Sequence, residues 1–312
     1  MLIVISTIVM AAIEPKRFPS LFDSFWWVMT TVTTVGYGDY YPISIAGRIY
    51  AIFLYIVGIG LIGVVIGKIL DSFGLIRKMR EEGKVDYKGK NHIIIIGWSK
   101  KAEYAIDEIL RTDLQIEVVL IDLLKKTPIA KDRLHYIYGS ASDQEVLKRA
   151  NITESKAVIL FADGTIEDTQ LADGKSLLIA SAVERMAPDV HTTVEILNEE
   201  HIHNFRHVKV DEFVFTHETI SRIAVRSAFT KGVSNVYSQL MSRGMGEDLF
   251  QISPKPNWVT YRDAFNELLS QGATLIADGQ RLDINRRLDE PIQENALLYI
   301  ICDKETYESI TS

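Results

Sequence analysis

Residues 31–42 read TVTTVGYGDYYP, and what could do chemistry there is the main chain itself. Thr34, Val35, Gly36, Tyr37, Gly38 and Asp39 set two glycines around one tyrosine. Glycine accepts backbone conformations that residues with side chains resist, so Gly36 and Gly38 let successive carbonyl oxygens point the same way. Five such residues in a fairly extended chain cover about 12–15 Å, at roughly 3 Å each. The stretch lies beside a membrane-length apolar run. Non-helical backbone at membrane depth is tolerated only where protein buries it or water lines it. It must therefore face an aqueous path shared with other copies of the chain. A glycine-rich turn between helices is the plainer reading, and it leaves this particular hexapeptide unexplained.

The elements that must hold this stretch are legible on both sides. Ser44–Leu75 is almost wholly apolar. As a helix of about 30 residues it would run roughly 45 Å, against a hydrocarbon core of about 30 Å. Beyond it come Arg77, Lys78, Arg80, Lys84, Lys88 and Lys90, a cluster that assigns the following side to the cytoplasm. Before the glycines, residues 18–33 are aromatic and apolar, too short to cross, and opened by Pro19-Ser20 as a helix start. The first 12 or so apolar residues are also too short to span. They lack the basic leader of a signal peptide, and the preferred expectation is a first membrane helix entered partway along. No arginine ladder precedes the glycines, so nothing suggests a voltage sensor.

Residues 77–312 have the composition of an ordinary acidic soluble protein, and the whole chain carries a net charge of −7. That balance argues against nucleic acid as the main partner. The one cysteine, Cys302, permits no intramolecular disulfide. Four isoleucines at 93–96 read as a buried parallel strand, followed by a turn at Gly97-Trp98-Ser99 and a helix over 100–110. Strands are predicted at 116–122, 134–139, 156–163, 190–197 and 211–215, with helices at 142–150 and 167–186. The alternation predicts a doubly wound, dinucleotide-binding sheet. Serine replaces the second glycine of the nucleotide fingerprint and alanine the third. Asp122 closes the second strand, where it could accept ribose hydroxyls, and the amides around Trp98–Lys100 open a helix that attracts anions. A sheet of this kind that has lost its ligand and kept the turn for packing is the alternative.

Thr34-Val35-Gly36-Tyr37-Gly38 with Asp39 resembles the selectivity filter of potassium channels. The resemblance implies that four such loops surround an axis, that their carbonyls replace the water shell of K⁺, and that the threonine hydroxyl adds a further ring. Tyr37 would turn away from the axis and pack on Trp26 and Trp27. The inner helix, with Gly58, Gly60, Gly63 and Gly67, resembles that of prokaryotic ligand-gated channels. There Gly58 would be a gating hinge, with close helix packing as the alternative reading, and Gly60, Gly63 and Gly67 would serve packing or line the pore. Lys68 and Asp71 would face water at the inner mouth.

Placed after such a pore, residues 90–312 resemble an RCK domain (regulator of potassium conductance, with TrkA-N and TrkA-C lobes). The chain is thus similar, over nearly its whole length, to the prokaryotic two-transmembrane potassium channels with a cytoplasmic RCK domain. The fold class expected is an α-helical membrane pore, an α/β Rossmann-like domain and a small α+β C-terminal subdomain. The expected boundaries are 1–75 for the pore module (outer helix 1–14, pore helix 20–33, filter 34–39, inner helix 44–75) and 76–90 for the linker. The N-lobe follows at 91–215, crossover helices at 216–245, and the last subdomain at 246–312 with strands near 249–253, 273–277 and 297–302. The nucleotide-binding set implied is Gly97, Trp98, Ser99, Lys100, Asp122, Ser140 and Asp163, although Ser140 stands where the family has an aspartate.

The resemblance also implies ligands and partners. K⁺ is the permeant ion, and an adenine nucleotide or NAD(H) is the expected effector. Calcium-gated relatives hold Ca²⁺ on carboxylates near the ends of strands four and five. Here Glu195 matches one of them, but Leu197 and Phe161 stand at the others, so that site is incomplete. The acidic loop with Asp163, Glu167, Asp168 and Asp173 reads as a solvated surface before it reads as a substitute. Cyclic di-AMP, bound by some relatives in the last lobe, has no local signal here. His201, His203 and His207 read as a polar helix surface, because zinc needs a third and usually a fourth ligand in place.

The partners expected are three further copies forming a homotetramer through the pore, further RCK lobes completing a gating ring, and the lipid bilayer. Soluble RCK copies could supply those lobes, with Met79 as their start, though an ordinary linker methionine is the plainer reading. The location expected is the plasma membrane, multi-pass, with the C-terminal domain cytoplasmic. The function expected is a ligand-gated potassium channel, not an enzyme: no acid–base residue presents itself for hydride transfer. The alternative is a regulatory nucleotide-binding subunit of a Trk- or Ktr-type uptake system, which the attached filter disfavours.

Overall fold

The computed structural model describes residues 1–242 and 246–311, so part of the predicted crossover segment, 243–245, and residue 312 lie outside the described residues. The chain divides into two units, Met1–Met79 and Arg80–Ser312.

The first unit is built from α1 (Leu2–Ile13), α2 (Leu21–Val32) and α3 (Ile45–Glu81). Ser20 opens α2 through a capping box with Asp23, in which two orphan amides of the first turn are satisfied reciprocally. Trp27, Val28 and Val32 of α2 bury themselves with Met10 of α1 and with Ala51 and Leu54 of α3. Buried Glu14 follows α1 and accepts bonds from Ile43 N (3.1 Å), Ser44 N (2.8 Å) and Ser44 Oγ (2.5 Å). A carboxylate at the amino end of α3 satisfies orphan amides and meets the positive end of the helix dipole. Among the described residues, α3 is the one helix long and apolar enough to cross a membrane. Its 37 residues run about 55 Å. The helix continues through 76–81, so the first part of the predicted linker is helical, and Met79 is a helix residue.

The second unit holds a six-stranded sheet in the order β3-β2-β1-β4-β5-β6. The strands are β1 (Ile93–Ile96), β2 (Val118–Asp122), β3 (Leu134–Tyr138), β4 (Ala157–Leu160), β5 (His191–Ile196) and β6 (Glu212–Phe215). Every pairing is parallel, and the order reverses between β1 and β4, the crevice where such sheets take ligands. Helices cover both faces: α4 (Lys100–Thr112) one, α5 (Gln144–Arg149) and α6 (Thr169–Met186) the other. The run of isoleucines follows from this. Successive strand residues face opposite ways, so Ile94 and Ile96 pack with Leu147, Ile179 and Val183, while Ile95 packs with Ala102 and Ile106.

At the opposite edge of the sheet, residues 85–92 lie against the lobe. His92 is fully buried, its Nε2 2.9 Å from the Ala150 carbonyl and its ring 4.4 Å from that of Tyr87. His135 Nε2 lies 2.7 Å from the Val85 carbonyl, and Tyr87 donates to Glu117 at 2.7 Å. Burial lowers the pKa of both histidines, only partly offset by these carbonyls.

After β6 come α7 (Thr216–Phe229) and α8 (Val233–Met241), which bury no residue and leave Ile220, Val225, Phe229 and Val236 exposed. The last lobe is an antiparallel sheet, order β7-β9-β8, of β7 (Asp248–Ile252), β8 (Thr274–Asp278) and β9 (Leu298–Cys302), with α9 (Tyr261–Ser270) and α10 (Lys304–Thr311). Its core gathers Trp258, Leu268, Leu298, Ile300 and Cys302.

Candidate functional site

In the first unit, the carboxyl end of α2 fixes the start of the glycine stretch. Thr34 N donates to Thr31 O at 3.0 Å, and Val35 N and Gly36 N both reach Thr30 O, at 2.8 and 3.1 Å. From there the backbone alternates. Thr34, Gly36 and Gly38 have φ of 60°, 57° and 79°, while Val35 and Tyr37 between them do not take positive values. Positive φ is uncommon for a residue with a Cβ, and Thr34 adopts it where only every second residue does. Left-handed residues at every second position turn successive carbonyls to one side, as glycine at 36 and 38 permits. Among the described residues, no donor reaches the carbonyl oxygens of 34–38. Oriented carbonyls without partners, beside the negative end of a helix dipole, form a cation-attracting strip.

The side chains brace this strip from behind. Tyr37 stacks on Trp26 with centroids 5.7 Å apart and planes 2° apart, and Trp26 Nε1 donates to Asp39 Oδ2 at 2.8 Å. Asp39 Oδ1 also accepts from Tyr40 N at 3.0 Å. Trp27, the other partner expected for Tyr37, instead packs on Phe18 with centroids 5.6 Å apart, inside the core. Arg17, which no local pattern marks, lies over the Tyr41 ring at 4.6 Å and reaches the Asp39 carbonyl at 3.5 Å.

Gly58 lies within an unbroken α3. A Cβ there would come within 3.1 Å of Val32, whereas Gly60, Gly63 and Gly67 have nothing within 4 Å. Close packing is thus what the structure displays at Gly58, and in this single chain it is not what it displays at the other three.

In the second unit, the crevice between β1 and β4 opens into a cavity of about 380 Å³. Gly97, Trp98, Asp122, Ser140 and Asp163 line it; Ser99 and Lys100 do not. Gly97 takes φ +90°, and a Cβ there would lie 3.0 Å from the Phe161 carbonyl, so the tight turn excludes a side chain. Asp122 holds the turn shut: its Oδ2 accepts from Trp98 N at 2.7 Å and its Oδ1 from Leu124 N at 3.0 Å. Trp98 N is thereby spent within the chain. Ser99 caps α4 by accepting from Ala102 N at 3.3 Å. Among the described residues, the amides of Ser99, Lys100 and Lys101 donate to nothing in the chain, which leaves them for an anion. Lys100 turns away to Glu103 at 2.6 Å.

Sequence reading missed the one ammonium that lines the cavity among the described residues. Lys175, on α6, lines the cavity and contacts Asp163 at 2.6 Å. Burial works to raise the Asp163 carboxyl, but the bonds from Lys175 and Thr165 outweigh it and hold the group at about 2. No local pattern marks Lys175, twelve residues beyond its partner. Ser140 donates to or accepts from Ser142 at 2.8 Å.

The candidate metal residues have other partners. Glu195, 3% exposed, receives Lys101 Nζ at 2.5 Å, Ala162 N at 2.9 Å and the Thr216 hydroxyl. An ammonium already seated on the carboxylate leaves little of the oxygen cage that Ca²⁺ takes. In the acidic loop, Asp168 caps α6, and Asp173 is buried with bonds from Leu197 N, Asn198 N and His201 Nδ1. Glu167 stays exposed. His201 and His203 lie in a 3-10 helix, Glu199–Phe205, and His207 lies beyond its end, so the three do not form one helix surface. Among the described residues, no cluster of three metal-ligating side chains occurs.

Comparison with known proteins matches residues 1–74 to the Ion channel family and residues 93–216 to the TrkA-N domain. YugO of Bacillus subtilis, named as a potassium channel protein, is 37% identical over 67% of this chain and 64% of its own. The calcium-gated potassium channel TvoK of Thermoplasma volcanium is 28% identical over 77% of this chain and 69% of its own. The chain thus spans about two thirds of the length of these two relatives. Among solved structures, the GsuK channel matches 99% of this chain and 56% of its own with TM-score 0.52, and the human SLO3 gating ring matches 70% and 45% with TM-score 0.53. Both are 14% identical and bear on the fold alone.

Proposed function

We propose that this chain, which joins an ion-channel module to a TrkA-N domain, is the pore subunit of a potassium-selective channel gated by a nucleotide bound to its Rossmann-like lobe. The observation that carries conduction is the alternation of positive φ at Thr34, Gly36 and Gly38, with the five carbonyls of 34–38 unpaired among the described residues. Four copies around an axis would present these oxygens to K⁺ in place of its water shell. Trp26, Tyr37 and Asp39 form the cuff that sets the spacing. The chain then lies in the plasma membrane, multi-pass, with the C-terminal lobes in the cytoplasm, where the basic residues after Leu75 assign them.

Gating rests on the cavity at Gly97, Asp122 and Asp163 and on the exposed apolar faces of α7 and α8, which suit pairing with another lobe. Further lobes, from other chains or from soluble copies, would complete a ring. Ligand would favour one ring shape and bend α3 near Gly58. Each site need supply only about 1–3 kcal/mol of coupling, since several act together.

Liposomes holding this chain alone test conduction: they should take up Rb⁺ and K⁺ and exclude Na⁺. Equal passage of Na⁺ would sink the filter reading. An open probability unmoved by adenine nucleotides in purified channels would remove the gating half and leave conduction standing.

A further inference from the structure

A doubly wound sheet binds a dinucleotide with its two halves: one nucleoside over the ends of β1–β3, the other over the ends of β4–β6, the phosphates between them. In this lobe the two halves are not equivalent. The cavity is lined from the ends of β1 and β2, from Gly139-Ser140 after β3, from the segment after β4 and from α6. No residue of β5 or β6 lines it.

The far half is filled by the chain's own polar groups. Past the ends of β4 and β5, the Glu195 carboxylate takes both Lys101 Nζ (2.5 and 2.7 Å) and Ala162 N (2.9 Å), and Thr216 donates to it as well. Beside it, Asp173, 2% exposed, takes Leu197 N (3.0 Å), Asn198 N (3.1 Å) and His201 Nδ1 (2.7 Å). Both carboxylates are buried and fully engaged, so a second nucleoside would have to break a buried ion pair to enter, leaving a buried charge uncompensated. The open half offers Asp122 to a ribose and Leu123 and Leu124 to a base; the unbonded amides of Ser99–Lys101 open α4 just beyond the lining residue Trp98. Among the described residues, Lys175 is the only lysine or arginine lining it, and the carboxylate it meets, Asp163, is 25% exposed, where Glu195 of the far half is 2% exposed.

We infer that the lobe takes a single nucleoside bearing 5′-phosphates and rejects dinucleotides such as NAD(H), and that Lys175 is the phosphate anchor. This rests on the nucleotide reading of the cavity. It narrows that reading to one ligand class.

The test is equilibrium binding to the full chain in nanodiscs, with ADP, GDP, NAD⁺ and adenosine as probes. ADP or GDP should bind at least tenfold tighter than NAD⁺. Lys175→Met should weaken the nucleoside diphosphate at least tenfold without changing adenosine, and Lys175→Arg should recover most of the loss. NAD⁺ binding as tightly as ADP and GDP would overturn the inference while leaving the nucleotide reading intact. Failure of every probe to bind the unaltered chain would remove the nucleotide reading itself. Diphosphate affinity unchanged in Lys175→Met would overturn the anchor.

Discussion

The filter strip and the crest of the six-stranded sheet treat polar groups in opposite ways. At 34–38 the carbonyl oxygens find no donor among the described residues. At the crest, Asp122, Asp163, Asp173 and Glu195 each take two or more donors from segments of the same chain. Polar groups withdrawn from water need partners. At the crest these four carboxylates are supplied from within the chain, and among the described residues the strip's carbonyls are not.

Breaking the strip should have the largest effect. Gly38→Ala forces a Cβ into φ +79°, which costs about 1–2 kcal/mol per residue, repeated in every copy around the axis. We expect Rb⁺ uptake by liposomes to fall to the level of empty vesicles, with the lobe's nucleotide binding unchanged. Uptake at normal rates would show that the alternation at 34, 36 and 38 does not matter.

Breaking the crest should cost stability before function. Lys101→Met leaves Glu195 buried with only neutral donors. The loss expected is about 2–3 kcal/mol, less than for a fully buried pair, because the lysine is partly exposed. Thermal unfolding of the full chain reads it out. Adding Glu195→Gln to Lys101→Met should recover part of the loss, since the stranded charge is gone. A double variant no more stable than the single one would mean that the pair is not what matters there.

This same contrast decides what could be read from sequence. The backbone alternation was legible because left-handed positions at fixed spacing favour glycine, and Thr34 to Asp39 are contiguous. The sheet was legible because burial on both faces turns strands into unbroken apolar runs such as Ile93–Ile96. The crest was not legible. Glu195 meets Lys101 across 94 positions and Asp173 meets His201 across 28, and nothing in either neighbourhood announces the other. Asp163 was placed at the cavity but Lys175 was not, for that reason. Ser99 and Lys100 were placed there because they follow the turn. Capping and a local ion pair with Glu103 take their side chains elsewhere.

Acid should separate the two regions again, by a smaller amount. The buried His92 and the half-buried His135 have pKa values lowered from about 6.5, because burial disfavours the charged ring. The unfolded chain therefore binds more protons than the folded one below pH 6.5, and stability falls as pH falls. The loss begins near 6.5 and levels off below the folded-state values. Each unit of lowering corresponds to about 1.4 kcal/mol. Unfolding of the full chain followed between pH 7.5 and 5 should show this slope, and His135→Gln should flatten it. The filter strip contains no histidine, so K⁺ over Na⁺ selectivity measured over the same range should stay constant. A selectivity that drifts with the stability would mean that the two regions are not independent.

The smallest effect sharpens the comparison at one atom. Ser99 stands where a nucleotide turn has its second glycine, the residue that lets the backbone approach a phosphate. In this chain it spends its hydroxyl capping α4 at a long 3.3 Å. Glycine is nearly as good a cap, so Ser99→Gly should cost only a few tenths of a kcal/mol in stability. If the serine side chain holds phosphate off the amides of 99–101, the same change should tighten ADP severalfold. Tightening without loss of stability would mean that the crest gave up ligand affinity for a cap it did not need. Weakened binding would instead make the hydroxyl a ligand contact. It would also bring the lobe closer to the strip's own logic, in which a polar group is left for what arrives from outside.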